Sequence, residues 1–252
     1  PIFKNFMWGH FGINGDNFLT TYNDRVARGG PALRNTAGYN WWTGLESDSR
    51  KTSTANVYGG GYKYDVGRTT GWWINPGADF KFGSQVSASL GVNYARDIND
   101  SQWRANFGDA GVDSTHYTFA RLDQKTLSLT TRVDYTATPT LSLQFYGSPF
   151  ISTGDYSDWR ELDNPRAAKY DDRFKPFTSQ GDPGGFNVKE FRSNTVLRWE
   201  YRPGSALFLV WAQGRSMDGQ PEEFSFGKDL RNVFDTHPNN TFLVKFSYWF
   251  NP

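Results

Sequence analysis

Apolar and polar residues alternate along most of this chain. In NTFLVKFSYWF (240–250), the even positions from Phe242 to Phe250 are apolar or aromatic, whereas the odd positions include Lys245 and two hydroxyl residues. The segments QVSASLGVNYAR, KTLSLTTRVDYTA, LSLQFYG and NTVLRWEYR alternate in the same way. A period of two is typical of β-strands whose two faces differ. The pattern therefore predicts an all-β chain.

About ten strands are expected from this alternation. Many of them exceed the usual strand length of roughly 5–6 residues and match the roughly 9–11 residues with which a tilted strand crosses a bilayer. The predicted strands cover residues 1–14, 36–47, 53–65, 70–82, 85–97, 115–137, 139–152, 188–202, 205–215 and 240–250.

The connections between these strands alternate in length. Long segments at 15–35, 98–114, 153–187 and 216–239 are separated by short ones such as GSQ, ATPT and RPGS, and only the compact DVGRTT departs from the alternation. Bacterial outer-membrane barrels combine short periplasmic turns with long extracellular loops. A β-sandwich, the less favoured alternative, gives no reason for this order.

The predicted fold is an antiparallel, up-and-down, transmembrane β-barrel. It has about ten strands in this chain, alone or as part of a larger barrel, and forms a single domain over 1–252. The mean hydropathy of −0.67 would ordinarily indicate a water-soluble protein. That average is misleading for a barrel, because the high hydropathy of lipid-facing residues and the low hydropathy of lumen-facing residues cancel along each strand.

Composition removes several classes of function. The chain has no cysteine, which excludes disulfides and thiolate metal sites. Its 27 Lys and Arg residues nearly balance its 26 Asp and Glu residues, so there is no net field to attract nucleic acid. The 21 Phe, 13 Tyr and 10 Trp residues supply most of the large apolar surface, and aromatic residues favour strands.

Three stretches resemble a known family. RGGPALRNTAGYNWW with SDSRK, the long segment from YTFARLDQK to SDWREL, and FRSNTVLRWEYRPGSALFLVWAQGR with NTFLVKFSYWF are similar to the C-terminal barrel of a family of Gram-negative outer-membrane proteins. In that family an N-terminal carbohydrate-binding family 9-like domain precedes a large barrel of unassigned function. The resemblance implies an outer-membrane location and a longer precursor with further strands upstream.

The two faces of the predicted strands suggest two sets of residues. Charged residues opposite the aromatic faces are the candidates to line a lumen, whether that lumen is open or plugged. These are Lys63, Asp65, Asp79, Lys81, Arg132, Asp134, Arg198, Glu200, Arg202 and Lys245. The candidates to face lipid, several of them in interfacial girdles, are Trp41, Trp72, Trp199, Tyr201, Trp211, Tyr248 and Phe250.

Signs of catalytic or metal chemistry are weak. The three histidines are scattered without metal-ligand spacing. Oxygen ligands for calcium could come from one acidic stretch, but its spacing lacks the full loop pattern and favours solvated turn residues. That stretch holds Asp97, Asn99, Asp100, Asp109 and Asp113. We therefore expect no catalytic residue, no metal and no cofactor.

The expected function is that of a pore, a transport component or the membrane anchor of a cell-surface complex. The alternatives are a barrel enzyme, or a structural barrel that docks an extracellular partner through loops 98–114, 153–187 and 216–239. Expected partners are outer-membrane lipid, an extracellular or periplasmic protein, and the barrel-assembly machinery, whose signal the last strand resembles. The two residues after Phe250, Asn251 and Pro252, depart from that signal.

Overall fold

The computed structural model describes residues 3, 6–108, 115–178, 181–219 and 224–250. Within these residues the chain forms thirteen strands, one α-helix and two short 3-10 turns. The strands are β1 (Trp8–Asp16), β2 (Tyr22–Asn23), β3 (Leu33–Arg34), β4 (Gly38–Glu46), β5 (Ser53–Tyr64), β6 (Thr69–Phe82), β7 (Val86–Phe107), β8 (His116–Thr138), β9 (Leu141–Leu162), β10 (Phe174–Pro176), β11 (Gly185–Arg202), β12 (Ser205–Gly219) and β13 (Asn239–Ser247). The helix is α1 (Phe226–Asp235), and the 3-10 turns are Asp65–Gly67 and Asp171–Arg173.

The long strands form one antiparallel up-and-down sheet. Its order is β1, β4, β5, β6, β7, β8, β9, β11, β12 and β13, so each strand lies beside its neighbours along the chain. The short β10 pairs with β9, and β2 pairs with β3 in a separate hairpin. The all-β antiparallel prediction is therefore confirmed.

Ten predicted strands correspond to the ten long strands of the sheet, but several boundaries differ. β7 extends to Phe107 and β9 to Leu162, each ten residues beyond its expected end. Residues 98–107, 153–162 and 185–187 of the predicted loops therefore belong to strands. Alternation is lost in the extension of β7 because each of its residues from 98 to 107 is at least partly buried, whichever face it lies on.

The connections fall at two ends of the sheet, since neighbouring strands run in opposite directions. Connections 47–52, 83–85, 139–140 and 203–204 lie at one end, here called the turn end. Connections 17–37, 65–68, 108–115, 163–184 and 220–238 lie at the other, the loop end. At the turn end Gly83 and Gly204 have φ values of 66° and 77°, which L side chains rarely adopt.

Both outer strands of the sheet keep a free edge within the described residues. β1 pairs only with β4, and β13 pairs only with β12, so the sheet is not closed there. Nearly every residue of β13 is exposed, and Phe242 has an exposed fraction of 74%. No helix in the described part of the chain is long and apolar enough to cross a membrane.

Candidate functional site

The cross-strand register divides the side chains of the sheet between two faces, because successive residues of a strand point to opposite sides. One face, here called the apolar face, carries exposed large apolar residues on all ten long strands. Its exposed members include Phe11, Ile13, Trp41, Leu45, Val57, Trp72, Ile74, Phe82, Leu90, Tyr135, Leu143, Phe145, Trp199, Leu209, Trp211, Phe242, Val244 and Phe246.

The residues predicted to face lipid lie on or beside this face. Trp41, Trp72, Trp199 and Trp211 are each between 43% and 49% exposed there. Tyr201 stacks on Phe246 with 5.4 Å between the ring centroids. Tyr248 and Phe250 follow the end of β13 and are also exposed.

The opposite face, here called the polar face, holds most of the charged residues predicted to line a lumen. The members on this face are Asp79, Lys81, Arg132, Asp134, Arg198, Glu200 and Lys245. Opposite charges lie near one another, since Ser89 of β7 is the register partner of both Asp79 and Arg132. Arg198 donates to Glu200 over 2.7 Å.

Three of the predicted lumen residues are placed differently. Lys63 pairs with Tyr39 and Thr70, which puts it on the apolar face. Asp65 lies in a 3-10 turn rather than on a strand, and Arg202 donates to Tyr248 over 2.8 Å, so a lumen candidate and a girdle candidate contact each other.

The different placement of Lys63 has a physical cause in its neighbours. Tyr62 and Tyr64 lie on the polar face, where their hydroxyls donate to Asp97 over 2.7 Å and to Asp16 over 2.6 Å. A tyrosine ring is apolar but its hydroxyl needs a hydrogen-bond partner. The sequence interpretation placed Lys63 on the polar face, opposite the aromatic residues, whereas these two tyrosines themselves occupy that face.

A buried carboxylate organises the loop end. Asp100 of β7 is only 3% exposed and accepts hydrogen bonds from Arg121 Nη1 at 2.8 Å, Tyr170 Oη at 3.0 Å and Arg160 Nη2 at 3.2 Å. Burial alone would raise the pKa of Asp100, but Arg160, Arg121 and Tyr170 outweigh it and lower that pKa. The network joins strands β7, β8 and β9 to the connection 163–184.

A second buried charge, Arg173, joins the same connection to segment 17–37. Its guanidinium donates to the carbonyl of Arg34 at 2.7 Å, to Thr36 Oγ1 at 3.0 Å and to the carbonyl of Ala167 at 3.0 Å. Arg173 is 2% exposed, and burial lowers its pKa. Among the described residues no carboxylate oxygen lies within 4.0 Å of it.

A cavity of about 480 Å³ opens between these elements at the loop end. Its walls come from segment 17–36, from the junction of β5 and β6, and from the loop-end part of β7. The charged residues that line it are Arg25, Arg28, Arg34, Arg173 and Asp65. The other lining residues are mainly amides and hydroxyls, together with Tyr64, Trp103 and Tyr170.

Helix α1 packs on the apolar side of the sheet near the loop end. Lys189 of β11 forms a buried ion pair with Asp229 at 2.9 Å, and the rings of Phe191 and Phe234 lie 4.8 Å apart. The sequence analysis missed both the helix and this pair. The available signal was the spacing of Phe226, Leu230, Val233 and Phe234, which suits a helix.

The weak metal and catalytic candidates are dispersed. His10 lies 3.7 Å from Glu46, and His116 contacts Glu161. Asp100 is held by arginines instead of being a solvated turn residue, whereas Asp109 and Asp113 lie outside the described residues. No group of three or more His, Cys, Asp or Glu residues in the described ranges could hold a metal ion.

The fold and its two faces define an antiparallel all-β domain with an amphipathic ten-strand sheet and a folded loop end. The chain belongs to the family described as a domain of unknown function, DUF5916, whose model matches residues 2–251. None of the curated proteins compared with the chain matches it.

Proposed function

We propose that this domain is part of an outer-membrane β-barrel that acts as a pore or transport component. The observation that carries the proposal is the exposed apolar face, which runs across the sheet from Phe11 in β1 to Phe242 in β13. Soluble monomers rarely expose contiguous apolar patches larger than a few hundred Å². Lipid is the solvent that suits such a face, with tryptophans at the two interfaces.

The arrangement of connections supports the same proposal. Segments 17–37, 163–184 and 220–238 all lie at the loop end, and the tight turns 83–85, 139–140 and 203–204 lie at the opposite end. In bacterial outer-membrane barrels the long connections are extracellular and the tight turns periplasmic. We therefore orient the loop end towards the cell exterior.

A barrel in lipid cannot keep free strand edges, because unpaired backbone N–H and C=O groups have no water to bind in hydrocarbon. β1 and β13 must therefore find partners. These two strands run in opposite directions, so they could pair with each other antiparallel and close a ten-stranded ring. Strands from outside residues 8–247 could instead insert between them and widen the ring.

The polar face suits the inside of such a barrel. Asp79 and Lys81 lie there on β6, and Arg132 and Asp134 lie on β8, so they flank β7 on both sides. A cavity of about 340 Å³ lined by Lys51, Asp79, Lys81 and Asp134 among others opens on this side. Charged side chains of both signs cost much less free energy when they line a water-filled path than when they contact lipid.

Planar-bilayer recording of the detergent-purified protein tests the proposal. Stepwise conductance that depends on protein concentration supports a pore. A water-soluble monomer that needs no detergent would contradict the whole barrel proposal.

A membrane-integrated protein without conductance would support a second function, the docking of an extracellular partner. The observation that favours this second function is that the loop end is folded. Hairpin β2–β3, helix α1 and the Asp100 network give it a defined surface. A surface that is already folded can bind a partner protein without a large rearrangement.

A further inference from the structure

The cavity at the loop end contains an excess of positive charge that the described residues do not neutralise. Arg25, Arg28, Arg34 and Arg173 line it, and Asp65 is the one lining carboxylate in the part of the chain that the structure describes. None of these four arginines has a described carboxylate oxygen within 4.0 Å. The neighbouring Asp100, by contrast, takes its two ion pairs from Arg121 and Arg160, which do not line the cavity.

Arg173 makes this excess costly for the protein alone. Its side chain is almost completely buried and, among the described residues, donates hydrogen bonds to the carbonyls of Arg34, Ala167 and Ala168 and to the hydroxyl of Thr36. Its guanidinium also lies 5.5 Å from the ring centroid of Tyr170, and Asp65 offsets its charge in part without coming within 4.0 Å. A buried charge without an opposite charge is unfavourable, whereas a bound anion would compensate it. The planar donor group of arginine also matches carboxylate and phosphate oxygens in pairs.

The remaining lining residues indicate what the anionic group is attached to. They include Asn23, Asn35, Thr36, Asn99, Ser101 and Gln102. Amides and hydroxyls both donate and accept hydrogen bonds, as the hydroxyl groups of a ligand also do. A volume of about 480 Å³ lies within the range of small-molecule sites, roughly 300–1,000 Å³.

We propose that this cavity binds a small hydroxyl-bearing anion whose carboxylate or phosphate group is recognised by Arg25, Arg34 and Arg173. This binding site is a separate proposal from the pore function. Anion binding can be measured on the purified protein whether or not the protein conducts ions. Tyr64, Thr69 and Asn99 bring the site to the polar face of the sheet, so an anion bound there would sit at the entrance of the proposed lumen.

Isothermal titration calorimetry with the full detergent-solubilised chain tests the site with three probes: glucuronate, glucose 6-phosphate and neutral glucose. We expect saturable binding of at least one of the two anions, with weaker binding as the salt concentration rises, and no binding of glucose. Arg25→Gln and Arg34→Gln should each weaken binding at least tenfold. The matched control is Arg231→Gln, since Arg231 is an exposed arginine of α1 that does not line the cavity, and it should bind as the unmodified chain does.

Both variant positions lie outside the buried core, so loss of binding with unchanged circular dichroism would report the site and not unfolding. Absence of saturable binding by both anions would overturn the proposal, as would equal binding by the Arg25→Gln, Arg34→Gln double variant. Inorganic phosphate is a fourth probe. If it bound as tightly as glucose 6-phosphate, the assignment of the amide and hydroxyl lining to ligand hydroxyls would be wrong.

Discussion

Two buried charges of opposite sign show how single residues hold the loop end together. Asp100 is surrounded by Arg121, Arg160 and Tyr170, whereas Arg173 is met by backbone carbonyls and one hydroxyl. Each of them crosslinks segments that are far apart in the sequence. These two charged residues act together with a small apolar core at the loop end, which includes Phe119, Leu122 and Phe177.

Asp100→Asn should loosen the loop end, because it leaves the partly buried guanidinium of Arg160 without its counter-charge. The chain has no cysteine, so a single Ala27→Cys substitution provides a reporter at a position that is fully buried in the loop end. We expect maleimide to label Cys at this position several-fold faster in the Asp100→Asn background. Equal labelling rates with and without the Asp100 substitution would contradict the role of this network.

Acid gives an independent check on Asp100. Its pKa is lower in the folded state than the roughly 3.9 of an unperturbed aspartate, so the stabilisation is present above that pH and is lost as the pH falls through the folded-state pKa. Pepsin should accordingly cleave within 163–184 faster as the pH drops below about 4. The Asp100→Asn variant should lack this part of the pH dependence.

A substitution at Leu129 tests whether lipid or water covers the apolar face. It lies on β8 opposite Val92, on the apolar face, while its neighbour Ser128 points to the polar face. If lipid covers this face, Leu129→Arg should lower the free energy of unfolding by about 2–4 kcal/mol. Ser128→Arg is the matched control and should cost much less. Urea unfolding in lipid vesicles measures both, and equal costs would contradict the assignment of faces.

Lys63 shows which residues the sequence could not place. Period-two alternation assigned seven of the ten charged lumen candidates to one face of the sheet, because their strands have one clearly aromatic side. In β5 the tyrosines hydrogen-bond to Asp97 and Asp16 on the polar face, and glycines occupy much of the other. Only the hydrogen-bond partners of the tyrosine hydroxyls show which face of β5 is polar, and those partners are distant in sequence.

At the scale of elements, helix α1 is attached to the sheet by one buried ion pair, by the contact of Phe234 with Phe191, and by hydrogen bonds from Arg215 of β12 to the carbonyls of Phe234 and Thr236. Lys189 and Asp229 are both almost inaccessible to water. Removing one member of such a pair leaves an uncompensated buried charge, which typically costs about 3–5 kcal/mol. The helix should therefore detach locally when the pair is broken, while the sheet beneath it stays folded.

Asp229→Leu should raise the hydrogen-exchange rate of amides in Phe226–Asp235 without changing exchange in β8 or β9. The double variant Lys189→Met, Asp229→Leu should recover much of the protection, because two apolar side chains of similar size leave no charge buried. Mass spectrometry on peptides that cover the helix measures both effects. A double variant no better protected than Asp229→Leu alone would show that the cost does not come from an unpaired lysine.

Strand extensions and the helix were the elements that sequence patterns did not predict. The loop-end halves of β7 and β9 lack a clean alternation, because segment 17–37 and connection 163–184 pack on them and both of their faces are partly buried. Helix α1 is only ten residues long, so four apolar positions carry its whole periodic signal. By contrast, ten strands were visible because their two faces meet different surroundings over nine or more residues.

At the scale of the whole molecule, one end of the sheet carries tight turns and the other carries long connections. This difference predicts which end faces the cell exterior. Asp172 lies in an exposed turn of connection 163–184, and Pro203 lies exposed at the turn end. Single cysteines at the two positions should be labelled differently on intact cells by an impermeant maleimide. We expect labelling at 172 and none at 203.

Pro203 is preferred over its neighbour for this experiment because Gly204 has φ of 77° and an added Cβ would come within 3.0 Å of Trp249. Permeabilised cells provide the control, since both cysteines should then react. Labelling at 203 but not at 172 on intact cells would invert the proposed orientation.

Every long strand of the main sheet has its chain neighbours as its sheet neighbours. A hairpin is therefore a self-contained building block. A duplication that inserted two more strands into a loop-end connection would separate only the two strands which that connection joins, and the register of every other pair would stay unchanged. The diameter of a barrel grows with its strand number. An architecture of this kind can change its bore through gene duplication in steps of one hairpin, while the polar face of the original strands keeps its chemistry.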